Sequence, residues 1–200
     1  MGSLKTALVP EAVYESSAKE DFFKLSHTLA ANERIEASYS NKLGAYLLFA
    51  IDNNVYRDLI YSQSRKVLHA DMPWLEALLL QHKNSEDTFI HIDISGRSIA
   101  VAAYRNGGLL LYNTFACETP EDKLYYTMFV SEQLRINPHR DYYFLSGQVM
   151  RTDPTHTLFA RYIKELQLQP RPHTFNYSLP MQEIPEHLYF KAFCTPICEL

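Results

Sequence analysis

Much of what would mark a site or a compartment is scarce in this sequence. Its 200 residues include three cysteines, Cys117, Cys194 and Cys198. An odd, low count excludes a disulfide framework and points to a reducing compartment, the cytoplasm. Cys194 and Cys198 form a C-x3-C pair, but no second Cys/His pair at finger-like spacing completes the ligand set that zinc requires, so no metal is expected. The net charge of −4 is spread in mixed signs with no Lys/Arg block, which excludes an electrostatic footprint for nucleic acid or acidic lipid. Arg151, His156, Arg161, Arg171 and His173 read as scattered surface charge. The apolar runs are too short to span a membrane, and the opening MGSLKTALVP lacks a signal-peptide core. Met1 to Ser3 read as an expression scar. No G-x-S-x-G, H-E-x-x-H, Walker loop or dinucleotide fingerprint occurs, and no repeat at solenoid spacing.

What is present is ordinary globular material rich in aromatic residues. The hydrophobic fraction is 46%, with 14 Tyr and 11 Phe. A chain of this length buries roughly two-thirds of its unfolded surface and folds without staples. Many tyrosines suit half-buried sheet and helix positions, or a binding surface.

Two regions differ in pattern. In the first, Ala7–Val9 is a short strand closed by Pro10, with a helical turn over Glu11–Tyr14 behind it. Ser17-x-x-Glu20 is a capping-box signature for a helix that buries Phe22, Phe23 and Leu25. Arg34–Ser40 alternates like an edge strand. Ala45–Ile51 (AYLLFAI) is apolar throughout, as in a strand covered on both faces. A helix with Val55, Leu59 and Ile60, a strand over Lys66–Ala70 and a helix opened by Asp71 and Pro73 follow. Strand, helix, strand, helix predicts parallel pairing here. The polar stretch Asn84–Thr88 divides a first lobe, residues 1–85, from a second, residues 86–200.

The second lobe alternates cleanly. Ile90, Ile92 and Ile94 share one face and His91 and Asp93 the other. Ser95-Gly96-Arg97 is a tight turn, Ile99, Val101 and Ala103 continue the register, and Asn106-Gly107 is a strong hairpin signal. Residues 89–115 therefore predict a three-stranded meander. Thr119 and Pro120 open a helix, Asp141–Leu145 is a strand, and Leu158, Phe159, Tyr162, Ile163 and Leu166 stripe another helix. A strand over His173–Tyr177 and a helix over Ile184–Phe193 close the order βββαβα(β)(α). His91 with Asp93 is a candidate acid–base pair without a nucleophile. Cys117 reads as a buried thiol at a strand end, and Trp74 as a core or interface anchor.

The meander followed by alternating helices and strands resembles a half-domain of the sugar-kinase/actin superfamily. HIDISGRSIAVAAYRNGGLLL, from His91 to Leu111, resembles its second phosphate loop, with Asp93 and Gly96 on matching positions. FLSGQVM, from Phe144 to Met150, resembles the adenosine loop through Ser146 and Gly147. LLFAIDNNVYRDLI and VLHADMPWLEALL are similar to pilus-assembly and cell-division members. The phrase LVPEAVY and the terminal CEL are similar to a bacterial family of uncharacterised actin-like proteins. The resemblance implies an α/β, actin-like ATPase (ribonuclease H-like) architecture: one complete βββαβα half-domain and an incomplete first half lacking its meander. It also implies a nucleotide cleft at Asp93, Ser95, Gly96, Arg97, Ser146 and Gly147. The departures point to a degenerate cleft. Arg97 stands where a compact residue would let backbone N–H groups approach phosphate, and Gln148-Val149-Met150 replaces a Gly-rich run.

Two readings of function follow. The first is a non-catalytic actin-like binding or scaffold protein with no cofactor and no catalytic residue. The second is a nucleotide-binding protein or ATPase, using ATP with Mg, whose first phosphate loop is missing through truncation. The partner expected is another protein, or a second copy joined through the first lobe at an uncovered edge of Ala45–Ile51 or Ala7–Val9.

Overall fold

The computed structural model describes residues 4–61, 67–172 and 176–197. Its N-terminal strands β1 (Thr6–Pro10), β2 (Glu33–Ser40) and β3 (Ala45–Asp52) form an antiparallel sheet of order β1-β3-β2. The apolar run lies in the middle, and both of its faces are covered. Leu47 joins a core shared with the second sheet, while Leu48 and Ala50 pack with Phe23 of α1 (Lys19–Lys24). The parallel pairing expected here is corrected. It required a second strand over Lys66–Ala70, whereas both partners of β3, β1 and β2, run antiparallel to it, the short turn 41–44 forcing the reversal between β2 and β3. Val67–His69 lie in no strand, and Lys66 falls outside the described residues. Because β3 is central, Ala45–Ile51 has no free edge, and the edges of this sheet are β1 and β2.

Two local readings also change. Ser17 lies in a 3-10 turn, and Ala18 caps α1 without a side-chain bond. In α2 (Asn53–Tyr61), Asp52 Oδ1 accepts the N–H groups of Asn54 and Val55 at 2.7 and 3.3 Å. Val55, Leu59 and Ile60 remain exposed and do not form a buried stripe.

After α3 (Asp71–His82), the expected meander runs β4 (Thr88–Ile94), β5 (Ser98–Arg105) and β6 (Gly108–Ala116). Asn106 and Gly107 make its second turn at φ 51° and 73°. A Cβ on Gly107 would meet the Lys83 carbonyl oxygen at 2.5 Å, so packing as well as turn geometry requires glycine. Next come α4 (Pro120–Gln133), β7 (Tyr142–Gly147), α5 (Pro154–Tyr162) and β8 (Glu165–Leu168). Thr119 and Asp122 form a full capping box on α4. The five-stranded sheet has the order β6-β5-β4-β7-β8, with β7 and β8 parallel to β4.

Strand β8 replaces what the periodicity assigns to the end of α5. The helix stops at Tyr162, and Leu166 pairs with Tyr143. The open edge of β7 offers backbone partners that no local pattern records. Of the strand expected over His173–Tyr177, residues 173–175 lie outside the described residues and the rest is irregular. The helix expected over Ile184–Phe193 contracts to α7 (Phe190–Cys194), which follows the single turn α6 (Leu179–Gln182).

The second sheet is covered on both faces. Ile90, Ile92, Ile99 and Val101 pack with Val130 of α4 and Phe159 of α5. On the opposite face, the small side chains of Ala100 and Ala102 let α3 lie close, and Tyr104 donates to the Leu75 carbonyl at 2.8 Å. Trp74 is fully buried there, as its core reading expects.

The same face holds a buried polar chain. Gln169 Nε2 donates to Gln81 Oε1 and to the Pro170 carbonyl, so its Oε1 accepts from His91 Nδ1 at 2.7 Å. His91 Nε2 is then the acceptor for the Nε2–H of His82 at 2.8 Å. Burial lowers the pKa of His82 to about 4; burial and then His82 hold His91 well below its usual value. Both rings are therefore neutral in the folded protein. The unfolded chain takes up protons first as pH falls below about 6.5, so this stability is present above that pH and declines below it. The urea midpoint should fall between pH 6.5 and about 5, before most carboxylates titrate. A His82→Gln variant, which keeps a donor to His91, should show a shallower slope. An unchanged slope would mean that the His82 ring is not held neutral.

Candidate functional site

The residues read from the sequence as a nucleotide cleft converge, and others occupy the space between them. Asp93 is the penultimate residue of β4 and Ser146 that of β7, and the parallel register places them side by side. Ser146 Oγ donates to Asp93 Oδ1 at 2.8 Å. Gly96 sits in the β4–β5 turn at φ 56°, and its N–H donates to Gln148 Oε1 at 2.9 Å. Gly147 lies at φ 81° with its Cα against the Ile94 backbone; a Cβ there would be 2.2 Å from the Ile94 oxygen. Ser95 lines the same cavity, while Arg97 turns outward to an exposed ion pair with Glu118.

The centre of the site was not legible in the sequence. Lys191 of α7 places its ammonium 3.0 Å from Asp93 Oδ2 and 2.6 Å from Asp71 Oδ1. Asp71 begins α3, where a carboxylate is favoured by the helix dipole. Its Oδ2 accepts the Tyr112 hydroxyl at 2.5 Å, and its N–H donates to His69 Nδ1 at 3.3 Å. Every carboxylate oxygen of the pair thus has a donor. The Lys191 ammonium also lies 4.7 Å from the centre of a Trp74 ring. Burial alone would raise the Asp71 carboxyl; Lys191 and then His69 outweigh it and hold it below its usual value. Burial likewise opposes the Lys191 charge, but Asp93 and Asp71 outweigh it, so the ammonium stays protonated.

A C-terminal strap holds Lys191 in place. His187 donates from Nε2 to the Val149 carbonyl at 2.6 Å, and its own carbonyl accepts the Gly147 N–H at 2.9 Å. Buried Arg171 donates to the Ile184 carbonyl at 2.7 Å and lies 4.7 Å from both the Tyr177 and Phe193 rings. Tyr189, at φ 57°, turns the strap into α7. The space left among His69, Asp71, Asp93, Ser95, Thr114 and Lys191 is about 90 Å³.

The other candidates resolve simply. His91 and Asp93 share a strand face but serve separate networks. Burial pushes the Cys117 thiol up to about 11, so it is not a thiolate. Cys194 is buried with its thiol pushed up, and Cys198 lies outside the described residues. Among the described residues, no helix is long and apolar enough to cross a membrane.

Three substitutions probe this arrangement. Lys191→Met leaves two buried carboxylates without their cation and should cost roughly 3–5 kcal/mol at pH 7. In the native protein the contribution of Asp71 is present above about pH 4 and lost as pH falls through its lowered value. In the variant, burial without the cation raises that value, so acidification to pH 5 should recover stability. Adding Asp93→Asn should recover part of it at pH 7. Urea unfolding measures all three, and a loss below about 1 kcal/mol would exclude a buried ion cluster. Gly147→Ala should cost roughly 2–5 kcal/mol by the same measurement, from left-handed strain plus the clash with Ile94.

Residues 1–166 match the family described as "Protein of unknown function (DUF3822)", a span that ends before the strap. No curated protein matches the sequence. A protein with actin-like ATPase fold and unknown function from Bacteroides thetaiotaomicron VPI-5482 superposes with a TM-score of 0.84 at 20% identity, over 98% of this chain and 71% of that one. PilM, in the PilM-PilN type IV pilus biogenesis complex, superposes with a TM-score of 0.59 at 12% identity, over 96% of this chain and 75% of that one. At these identities the likeness shows the fold: this is an α/β protein with the actin-like ATPase fold.

Proposed function

The chain belongs to the DUF3822 family, of unknown function, and we propose that it is a non-catalytic binding or scaffold protein whose nucleotide cleft is closed from within. The observation that carries this reading is the Lys191 ammonium between Asp71 and Asp93. Phosphoryl transfer works by positioning phosphate, cation and nucleophile together. Here the aspartate matched to the second phosphate loop has both oxygens engaged by the protein's own Lys191 and Ser146. The backbone donor of Gly96, which would face a phosphate, is taken by Gln148. The remaining space of about 90 Å³ is well below the roughly 300 Å³ at which ligand pockets begin. These residues do not fit ATP with Mg.

A protein partner suits such a molecule. PilM, which shares the fold, is found in a complex with PilN. Unpaired, buried Cys117 and Cys194 suit the reducing cytoplasm. Calorimetry with Mg-ATP should give no heat of binding, and a phosphate-release assay no hydrolysis. Mg-dependent binding or hydrolysis that Asp93→Ala abolishes would overturn this reading and restore the ATPase alternative.

A further inference from the structure

Strand β6 is an edge of the five-stranded sheet, bonded only to β5 among the described residues. Its C-terminal half is partly covered, because the Thr114 hydroxyl donates to the Leu4 carbonyl at 2.7 Å and the Tyr112 hydroxyl meets Thr6 at 3.2 Å. Its first half, Gly108–Leu111, is not. Among the described residues, no hydrogen bond reaches the outer N–H and C=O groups of that stretch. Edge strands are commonly guarded by lysine, proline or an inward charge. Gly108–Ala116 (GLLLYNTFA) carries no charge and no proline.

Both flanks of this edge are apolar. On one side, β1 and β6 touch near Thr6 and diverge, opening a groove of about 580 Å³. Leu8, Leu43, Leu79, Leu109, Leu111 and Tyr112 line it, and Lys42 is the one charged residue in its wall. On the other side, Leu111 packs against the core under α4, and Tyr125 and Phe129 of that helix are 63% and 45% exposed. Leu110 is the extra residue of a β-bulge, opposite no partner on β5, and is 43% exposed.

We propose that the Gly108–Leu111 edge and its groove receive an extended, uncharged apolar peptide segment of a partner protein, paired as an added strand. Free backbone donors and acceptors on an edge are best satisfied by another extended backbone. Successive side chains of an added strand point to opposite flanks, and both flanks here are apolar, so the segment is apolar at consecutive positions. A second copy of this chain is the less suitable occupant. Four free residues bury far less than the roughly 1,200 Å² that a stable dimer needs. This inference names the partner of the binding reading above and rests on it only for independence from nucleotide.

The probe is the N-acetylated, C-amidated peptide KGVLVLGK, with a control of the same sequence N-methylated at alternate residues. With the full chain, amide exchange over Leu109–Tyr112 should slow about tenfold on adding the first peptide, and Leu110→Lys should weaken binding by about tenfold. The methylated control, equally apolar but unable to form the ladder, should leave exchange unchanged. Equal binding of both peptides, no binding of either, or protection of β6 by self-association seen in sedimentation would each overturn the proposal. Failure here without Mg-ATP binding leaves the non-catalytic reading standing. Peptide binding together with Mg-ATP binding removes that reading and keeps this one.

Discussion

A buried lysine held by two buried carboxylates organises the centre of this protein. An ammonium loses several kcal/mol of hydration on burial, and each carboxylate does the same. The cluster is tolerated because every oxygen has a donor: Lys191 on both aspartates, Tyr112 on Asp71 and Ser146 on Asp93. Those groups come from α7, α3, β6, β7 and β4. Removing any one leaves a charge or lone pair without a partner in a low-dielectric interior, so the cluster ties the end of the chain to both faces of the cleft. The strap from His187 to Cys194 is thus built into this cluster.

The same constraint explains how the two sheets meet. Asp71 reaches the cluster because α3 lies across the second sheet, and it lies there because Ala100 and Ala102 leave room for it. Leu47 of β3 enters the same core, which joins the N-terminal sheet to α3 and β5. The opposite face, packed by α4 and α5, is built largely from isoleucine and valine. Both sides of the sheet bury an apolar core, and the buried ionic and histidine networks lie on the side of α3.

The legible parts are those where pattern is local. Period-two alternation and Asn106-Gly107 give the meander, Thr119 with Pro120 gives α4, and the uninterrupted apolar run of β3 announces a strand covered on both faces. Asp93, Ser146 and Gly147 were readable as neighbours because the loop resemblance carried them. Lys191 gave no such signal: a single lysine in a short C-terminal helix looks like any solvated charge. Strand β8 was hidden because Leu166 continues a helical spacing, and Ser17-x-x-Glu20 looked like a cap that the chain does not use.

The sequence by itself determined a mixed α/β chain with its meander, the helix that follows and the strand beside it, since side-chain periodicity and turn chemistry act over a few residues. Tertiary structure decided the rest. Whether β3 pairs antiparallel in the middle of a sheet, whether 165–168 becomes a strand, and which cation stands between Asp71 and Asp93 depend on partners from 23 to 120 residues away. Burial makes such contacts strong, because charges and backbone groups removed from water must find donors and acceptors wherever the fold brings them. No window of sequence records that requirement.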